Sequence, residues 1–201
     1  MDKSPPAADD FFKNACYFEL SLILVAIVFG WLVNIDPFAN LHFSESVVIY
    51  GLIGTAPLFF LYLVLQQLPL KSAIKIRDIL FQTLGAALQR YHWADLLVLA
   101  AVAGISEEIL FRGVVQPWIE VSWGMAAGLI ATNVIFGLAH AVTPLYAILA
   151  TLVGIYLSLS MDYDGNRNLF LPIIIHGLYD FLAFIALMRA YRASRDTNLT
   201  G

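Results

Sequence analysis

Long hydrophobic stretches, separated by more polar connections, recur along most of the chain. A transmembrane helix needs about 20 mostly apolar residues, and six stretches approach that length: residues 16–33, 47–68, 93–116, 123–141, 145–161 and 169–188. The pattern predicts an all-α fold, a polytopic transmembrane helical bundle of about six spans that forms one integral membrane domain over residues 1–201. Residues 1–15 are too acidic and proline-rich for a signal peptide, so we expect an uncleaved first span.

The composition supports this prediction and removes other classes of protein. Hydrophobic residues make up 60% of the chain and charged residues 13%, against about 45–50% and 25% in soluble domains. A disordered chain and a soluble globular domain are therefore excluded. With a net charge of −4 there are too few cations to coat a phosphate backbone, so no nucleic-acid partner is expected. The single cysteine, Cys16, excludes an internal disulfide framework.

Residues 71–90 have the period of an amphipathic helix. Apolar side chains recur at helical spacing while most charges lie elsewhere around the helix; the apolar positions are Ala73, Ile76, Leu80, Leu84, Ala87 and Leu88. A helix lying on the membrane surface fits this pattern best. An ordinary connecting helix in a larger cytoplasmic loop is the alternative.

The basic residues predict the orientation, because Lys and Arg accumulate on the cytoplasmic side of a membrane. Six spans with the N-terminus inside place nine of the eleven basic residues in the cytoplasm: Lys3, Lys13, Lys71, Lys75, Arg77, Arg90, Arg189, Arg192 and Arg195. Arg167 alone falls outside, and Arg112 lies within a span. We therefore expect a plasma (inner) membrane protein with residues 1–15 and the C-terminus in the cytoplasm.

Ionisable residues stand inside three of the predicted spans, where each costs at least about 2.5–3.5 kcal/mol. The third span carries Glu107, Glu108 and Arg112, the fourth carries His140 with the polar but uncharged Asn133 two turns earlier, and the sixth carries His176 and Asp180. A buried Glu–Arg pair or an intramembrane histidine is often only a packing contact. So many costly residues on three helices favour a chemical site within residues 93–188, the predicted catalytic core.

Helix geometry divides the roles of these residues. Glu108 and Arg112 are four residues apart and can pair along one face, whereas Glu107 points about 100° away and is free for chemistry. His176 and Asp180 have the same spacing, so that Asp180 can orient the ring and support an imidazolium. A free carboxylate near His140 and His176 predicts a general-base site that activates water, with the histidines stabilising an oxyanion or acting as acids.

A simple depth count does not bring Glu107 and His140 together. At 1.5 Å per residue, Glu107 lies about 21 Å into a span that starts at Trp93, but His140 falls near the cytoplasmic end of its own span. A helix break around Arg112-Gly113 or at Pro117 would resolve this conflict. Thinning of the membrane around a cavity is the alternative.

At these residues the chain resembles the CPBP family, also called the CAAX-protease and bacteriocin-processing or Abi family, which includes glutamic-type intramembrane endopeptidases. Three family motifs occur in order, each in its own span. The motif EExxxR matches Glu107, Glu108 and Arg112; FxxxH matches Phe136 and His140; and HxxxN or HxxxD matches His176 and Asp180 in its Asp form.

The resemblance implies hydrolysis of a peptide bond in a membrane-associated, possibly lipid-modified, peptide or protein. Glu107 would activate water that His140 helps to bind, His176 and Asp180 would form the oxyanion site, and Glu108 and Arg112 would hold the architecture. The chain has no HExxH, and no metal or other cofactor is expected, although Glu and His are also zinc ligands. The competing hypothesis is a non-catalytic protein of the same fold that binds a membrane partner, as in self-immunity. An ion-coupled transporter is disfavoured because no internal repeat is visible.

Overall fold

In the computed structural model, which describes residues 8–163 and 165–200, and the side chains of 11–163 and 165–194, the chain is helical and contains no strand. Residues 1–7, with Lys3, lie outside this range, as does the side chain of Arg195. The elements are α1 Ala8–Val33, α2 Glu45–Gln67, α3 Lys71–Leu80, a π-helical turn Phe81–Gly85, α4 Ala86–Leu88, α5 Trp93–Leu110, a second π-helical turn Phe111–Val115, α6 Gln116–Trp123, α7 Met125–Ala139, α8 Pro144–Met161 and α9 Phe170–Thr200.

Four of these helices contain segments long and apolar enough to cross a membrane: Phe11–Val33, Glu45–Gln67, Pro144–Met161 and Phe170–Ser194. Together with the all-helical fold, they confirm a helical membrane bundle. The other two predicted spans take a different form. The third is one continuous helical rod, α5 through α6, that carries the site charges, and the fourth is the short apolar helix α7. The number of complete spans stays a prediction.

The hairpin formed by α6 and α7 removes the depth conflict between Glu107 and His140. The chain reverses at Gly124, whose φ of +87° favours glycine, and α7 runs back beside α6. Glu107 and His140 lie almost equal distances along the chain before and after this turn, so they reach one level. The 15 residues of α7 span only about 22 Å, less than the hydrocarbon core of about 30 Å. His140 therefore lies at the end of a helix that stops short.

Helix α9 packs against α5, α2 and α8 and holds the bundle together. Its approach to α5 is close because glycines face each other: a Cβ on Gly104 would lie 2.7 Å from the backbone nitrogen of Gly177. Gly104 precedes Glu108 by one helical turn, and Gly177 follows His176. The glycine contact therefore sets the distance between two residues of the site.

The segment predicted as an amphipathic helix forms α3, a π-helical turn and α4. Together they end at Leu88, two residues before the end of the predicted range 71–90. Its apolar side chains Ala73, Ile76, Leu80 and Leu84 face a cavity between the long helices. Leu88 is fully buried against Leu96, Leu99 and Leu187. The segment thus packs on the bundle with its apolar face, and Lys71, Lys75 and Asp78 are exposed.

Candidate active site

A cavity of about 360 Å³ lies between α1, α2, α3, α5, α7, α8 and α9. Its walls are mostly aliphatic and aromatic, and four of its polar residues lie close together: Glu107, His140, His176 and Asp180. The volume lies in the range of small-ligand sites. The four residues that the sequence predicts as catalytic therefore share one cavity, although they come from α5, α9 and the residue that ends α7.

Behind this wall, Arg112 is fully buried and bonded on every side. Its guanidinium donates to Glu108 Oε1 at 3.0 Å, Asn133 Oδ1 at 2.9 Å and the carbonyl oxygen of Gly154 at 2.9 Å. Nε donates to Ser158 Oγ at 3.3 Å, and Cζ lies 4.6 Å from the ring centre of Phe136. A buried cation needs such partners, so Arg112 joins the second π-helical turn to α5, α7 and α8.

Asn133 completes this network with both ends of its amide. Nδ2 donates to Ser158 Oγ at 2.9 Å and to the carbonyl oxygen of Leu129 at 2.7 Å, while Oδ1 accepts from Arg112. Phe136 stacks one turn later, with its ring centre 4.4 Å from that of His140 and 5.1 Å from that of Phe111. Asn133 and Phe136 thus hold α7 against the rod that carries Glu107.

Glu108 connects this buried network to the cavity. Its Oε1, besides accepting from Arg112, lies 2.8 Å from Nδ1 of His176. An ionised carboxylate only accepts hydrogen bonds, so Nδ1 of His176 carries the hydrogen. The ring is thereby fixed with Nε2 facing the cavity.

His140 is oriented in the same way by a different acceptor. Its Nδ1 lies 2.8 Å from the carbonyl oxygen of Phe136, which can only accept, so Nδ1 donates and Nε2 faces the cavity. The two histidines therefore present equivalent ring nitrogens toward Glu107. Glu107 Oε2 is 3.6 Å from Nε2 of His140 and 3.9 Å from Nε2 of His176.

Glu107 Oε2 is a buried oxygen that makes no hydrogen bond with the described residues. Distances of 3.6 and 3.9 Å are too long for direct bonds but suit three atoms that surround one water molecule. A water held there offers two hydrogens to three acceptor atoms if both histidines are neutral. One of these groups must therefore carry an additional proton for all three contacts to be hydrogen bonds.

Asp180 lies one turn after His176 on α9, with Oδ2 3.5 Å from Nε2 of His176. Three carboxylates thus approach this ring, since Glu107 and Glu108 are also within 3.9 Å. Negative groups near both ring nitrogens favour the imidazolium form. His176 is therefore the histidine whose surroundings best support a positive charge.

The described residues contain no group of three or more His, Cys, Asp and Glu side chains placed to hold a metal ion. The predicted absence of a metal is not tested by this finding. Glu107 Oε2 and the Nε2 atoms of His140 and His176 lie close enough together to contact one water molecule.

Sequence reasoning missed three kinds of residue at this site. Ser158 and Gly154 on α8 complete the Arg112 network, and nothing in an apolar helix distinguishes them from packing residues. Tyr146 and Tyr179 line the cavity without any spacing signal. Glu19 on α1 also lines it, and this carboxylate inside an apolar helix was a visible signal.

Fold and site together define a helical membrane protein with a cluster of carboxylates and histidines on the wall of a cavity. Residues 89–182 match the model of the Rce1-like family, described as Type II CAAX prenyl endopeptidase. The match covers just under half of the chain and contains all three motifs, and it confirms the resemblance to the CPBP family. This part of the chain is thus similar to the CAAX-type proteases of that family. No curated protein and no solved structure matches the chain.

Proposed function

We propose that the protein is an intramembrane endopeptidase that hydrolyses a peptide bond by glutamate-activated water. The observation that carries the proposal is the position of Glu107 Oε2, unbonded and between the Nε2 atoms of His140 and His176 on a cavity wall. The family match supports the class of reaction.

In the first step, water held between Glu107 and His140 attacks the carbonyl carbon of the peptide. His140 accepts one hydrogen of this water at Nε2, because its Nδ1 hydrogen is committed to Phe136. Glu107 takes the other proton as the new C–O bond forms. A positioned base of this kind contributes about 10²–10⁴-fold in rate.

The carbonyl oxygen becomes an oxyanion, and His176 is the group that we assign to stabilise it. Its imidazolium form donates through Nε2, while Nδ1 stays bonded to Glu108 and Asp180 supports the charge. Glu107 then gives its proton to the amide nitrogen, the C–N bond breaks, and the products are a carboxylic acid and an amine. Arg112, Asn133 and Phe136 act through position alone, whereas Glu108 both orients His176 and supports its positive charge.

The substrate that fits this cavity is a peptide within the membrane that carries apolar side chains or a lipid modification. The lining beyond the site is aliphatic and aromatic, including Leu58, Leu149 and Leu187. Such walls bind hydrocarbon through the hydrophobic effect and give little reason to bind a polar soluble peptide.

Terminal proteomics tests the proposal and does not require an identified substrate. Membranes from cells that contain the intact protein are compared with membranes containing Glu107→Gln or His140→Ala at matched abundance. Glu45→Gln, the same chemical change at an exposed residue outside the cavity, is the control. We expect new peptide termini with the intact protein and Glu45→Gln only. Identical termini in all four samples, with folded proteins, would overturn the proposal and favour the binding or immunity function.

A further inference from the structure

Glu19 lies in the middle of the apolar helix α1 and outside the family-matched residues 89–182. It lines the same cavity as Glu107, His140, His176 and Asp180. An ionisable residue within a membrane helix is expensive, and its presence indicates a functional role. The mechanism proposed above does not use it.

Glu19 lies close to the depth of the site. Its Oε2 is 3.5 Å from Oγ of Ser106, the residue that precedes Glu107 on α5. Adding the lengths of the intervening residues gives a separation of at most about 15 Å between the carboxylates of Glu19 and Glu107. An extended peptide covers this distance with about four residues.

The carboxylate of Glu19 has no positively charged partner within 4.0 Å among the described residues. Ser106, its nearest donor, has a single hydroxyl hydrogen, which is also in reach of the carbonyl oxygens of Val102 and Ala103. Glu19 is thus a poorly bonded acceptor on a cavity wall. A ligand that supplies an N–H⁺ donor would satisfy it.

The charge around the cavity favours the same kind of ligand. Glu19, Glu107 and Asp180 are acids, and Arg77 is the cation that lines the cavity without lying at the site. Arg77 donates to the carbonyl oxygen of Gln66, near the end of α2. Gly54 of α2 packs beside Ile175, the residue before His176. Gln66 follows Gly54 by twelve residues, so Arg77 is bonded to α2 about 18 Å farther along the helix than the level of His176. At the site end, Glu108 balances Arg112, and a positive His176 balances one of the three cavity acids, so negative charge remains in excess there.

We infer that Glu19 is a specificity-determining residue that binds a positively charged group of the substrate peptide, a lysine or arginine side chain or a free α-amine, within about four residues of the cleaved bond. This inference rests on the proposed function. A charge-assisted hydrogen bond in apolar surroundings is strong enough to select a cationic peptide about tenfold over a neutral one. It also positions the peptide along the cavity relative to Glu107.

Cleavage specificity gives the first test. The purified protein in detergent is incubated with peptides made by cutting the membrane proteins of a cell after acidic residues, so that apolar peptides are present and lysines and arginines remain internal. We expect these residues to be enriched about tenfold at one position within four residues of the cleaved bond. Glu19→Gln abolishes this enrichment, and Glu19→Lys, given peptides cut after lysine and arginine instead, enriches Asp and Glu at the same position. Glu45→Gln keeps it. A profile with no cationic preference, or one that Glu19→Gln leaves intact, would overturn the inference.

Binding gives a second test that does not depend on cleavage. Nanodiscs containing Glu107→Gln are titrated with a lauroylated fluorescent hexapeptide that carries one lysine, or with its norleucine counterpart. A second protein carries Glu19→Gln in addition. We expect the lysine peptide to bind about tenfold more tightly than the norleucine peptide, and we expect the double variant to lose this difference. The same peptide with a blocked lysine and a free N-terminal amine shows whether an α-amine is bound in place of the side chain. Equal affinities for charged and neutral peptides overturn the inference. Selective binding without Glu107-dependent cleavage would refute the proposed function and retain the role of Glu19.

Discussion

Glu108 Oε1 lies 2.8 Å from Nδ1 of His176, and this contact joins the third predicted span to the sixth. The same oxygen accepts from Arg112 at 3.0 Å. One carboxylate therefore fixes the ring of a proposed catalytic histidine and neutralises the buried guanidinium. Substitutions at this contact therefore distinguish effects on the stability of the fold from effects on the cleavage rate.

Removal of the cation is expected to destabilise the fold. Arg112→Leu leaves Glu108 buried and without its positive partner, and we expect a loss of about 3–5 kcal/mol in the free energy of unfolding. Thermal unfolding of the purified proteins in detergent measures the change, with Arg189→Leu at an exposed position as the control. Equal melting temperatures for Arg112→Leu and the intact protein would show that the network does not hold the fold.

Glu108→Gln changes the hydrogen-bond partner while it keeps the shape. An amide oxygen still accepts from Arg112 and His176, but it provides no negative charge for the imidazolium of His176. We expect a loss of about 10²–10⁴ in cleavage rate with a smaller loss of stability than in Arg112→Leu, comparable in kind to the effect of removing an orienting carboxylate from a catalytic triad. Single-turnover cleavage in detergent measures this rate. A rate within threefold of the intact protein would argue against His176 as the oxyanion donor.

The glycine contact between α5 and α9 gives a matched pair of variants. Gly104→Ala forces a methyl group against the backbone nitrogen of Gly177, at 2.7 Å, so α9 must move away. We expect a loss of about 1–3 kcal/mol and a lower cleavage rate because His176 moves with α9. Gly177→Ala finds its nearest atom at 3.4 Å and should be neutral or stabilising by about 0.5–1 kcal/mol.

Unfolding midpoints and cleavage rates of the two glycine variants are compared in the same detergent. Equal behaviour of the two would contradict the close packing of α5 on α9. A Gly104→Ala protein that is less stable but fully active would show that the position of His176 tolerates the shift.

Arg167, Asp162 and Glu120 form a separate group of ion pairs. Arg167 donates to Asp162 at 3.1 Å and to Glu120 at 2.5 and 3.2 Å, and these hydrogen bonds raise the pKa of Arg167 above its usual value. Arg167→Ala leaves two carboxylates unpaired, but the group is partly exposed, so we expect a loss of only about 1 kcal/mol. Thermal unfolding at low and high salt tests this. A loss that does not shrink with added salt would contradict an electrostatic origin.

Chelation tests the expected independence from metal ions. If Glu107 alone activates the water, then dialysis against EDTA or 1,10-phenanthroline leaves the cleavage rate within about twofold, since no proton transfer in the mechanism uses a Lewis acid. Loss of activity on chelation that added zinc restores would contradict this expectation. It would indicate that a metal ion, and not Glu107 alone, activates the water.

Labelling of single cysteines tests the predicted orientation of the chain in the membrane. In a Cys16→Ala background, Glu45→Cys should react with a membrane-impermeant maleimide added to intact cells, because the basic residues place this end of α2 outside. Lys71→Cys should react only after the membrane is opened. Both positions are exposed. The reverse labelling pattern would invert the proposed topology.

The helices, and the residues that the structure brings together in the cavity, both leave local patterns in the sequence. Apolar runs of about 20 residues show membrane helices, and charges within them stand out. Contacts between helices leave no such pattern: neither Ser158 as a partner of Arg112 nor Glu108 as a partner of His176 follows from spacing. The shared depth of Glu107 and His140 depends on a turn at Gly124 and a short α7. Counting residues from the predicted cytoplasmic end of each span does not reveal this shared depth.

The measurement that tests the central claim most directly is single-turnover cleavage by purified protein in nanodiscs, with a peptide whose new terminus depends on intact Glu107. Glu107→Gln should lower the rate at least about 10³-fold, while peptide affinity changes less than about threefold, because the carboxylate acts mainly in the transition state. Cleavage by Glu107→Gln at a rate within tenfold of the intact protein would contradict glutamate-activated hydrolysis.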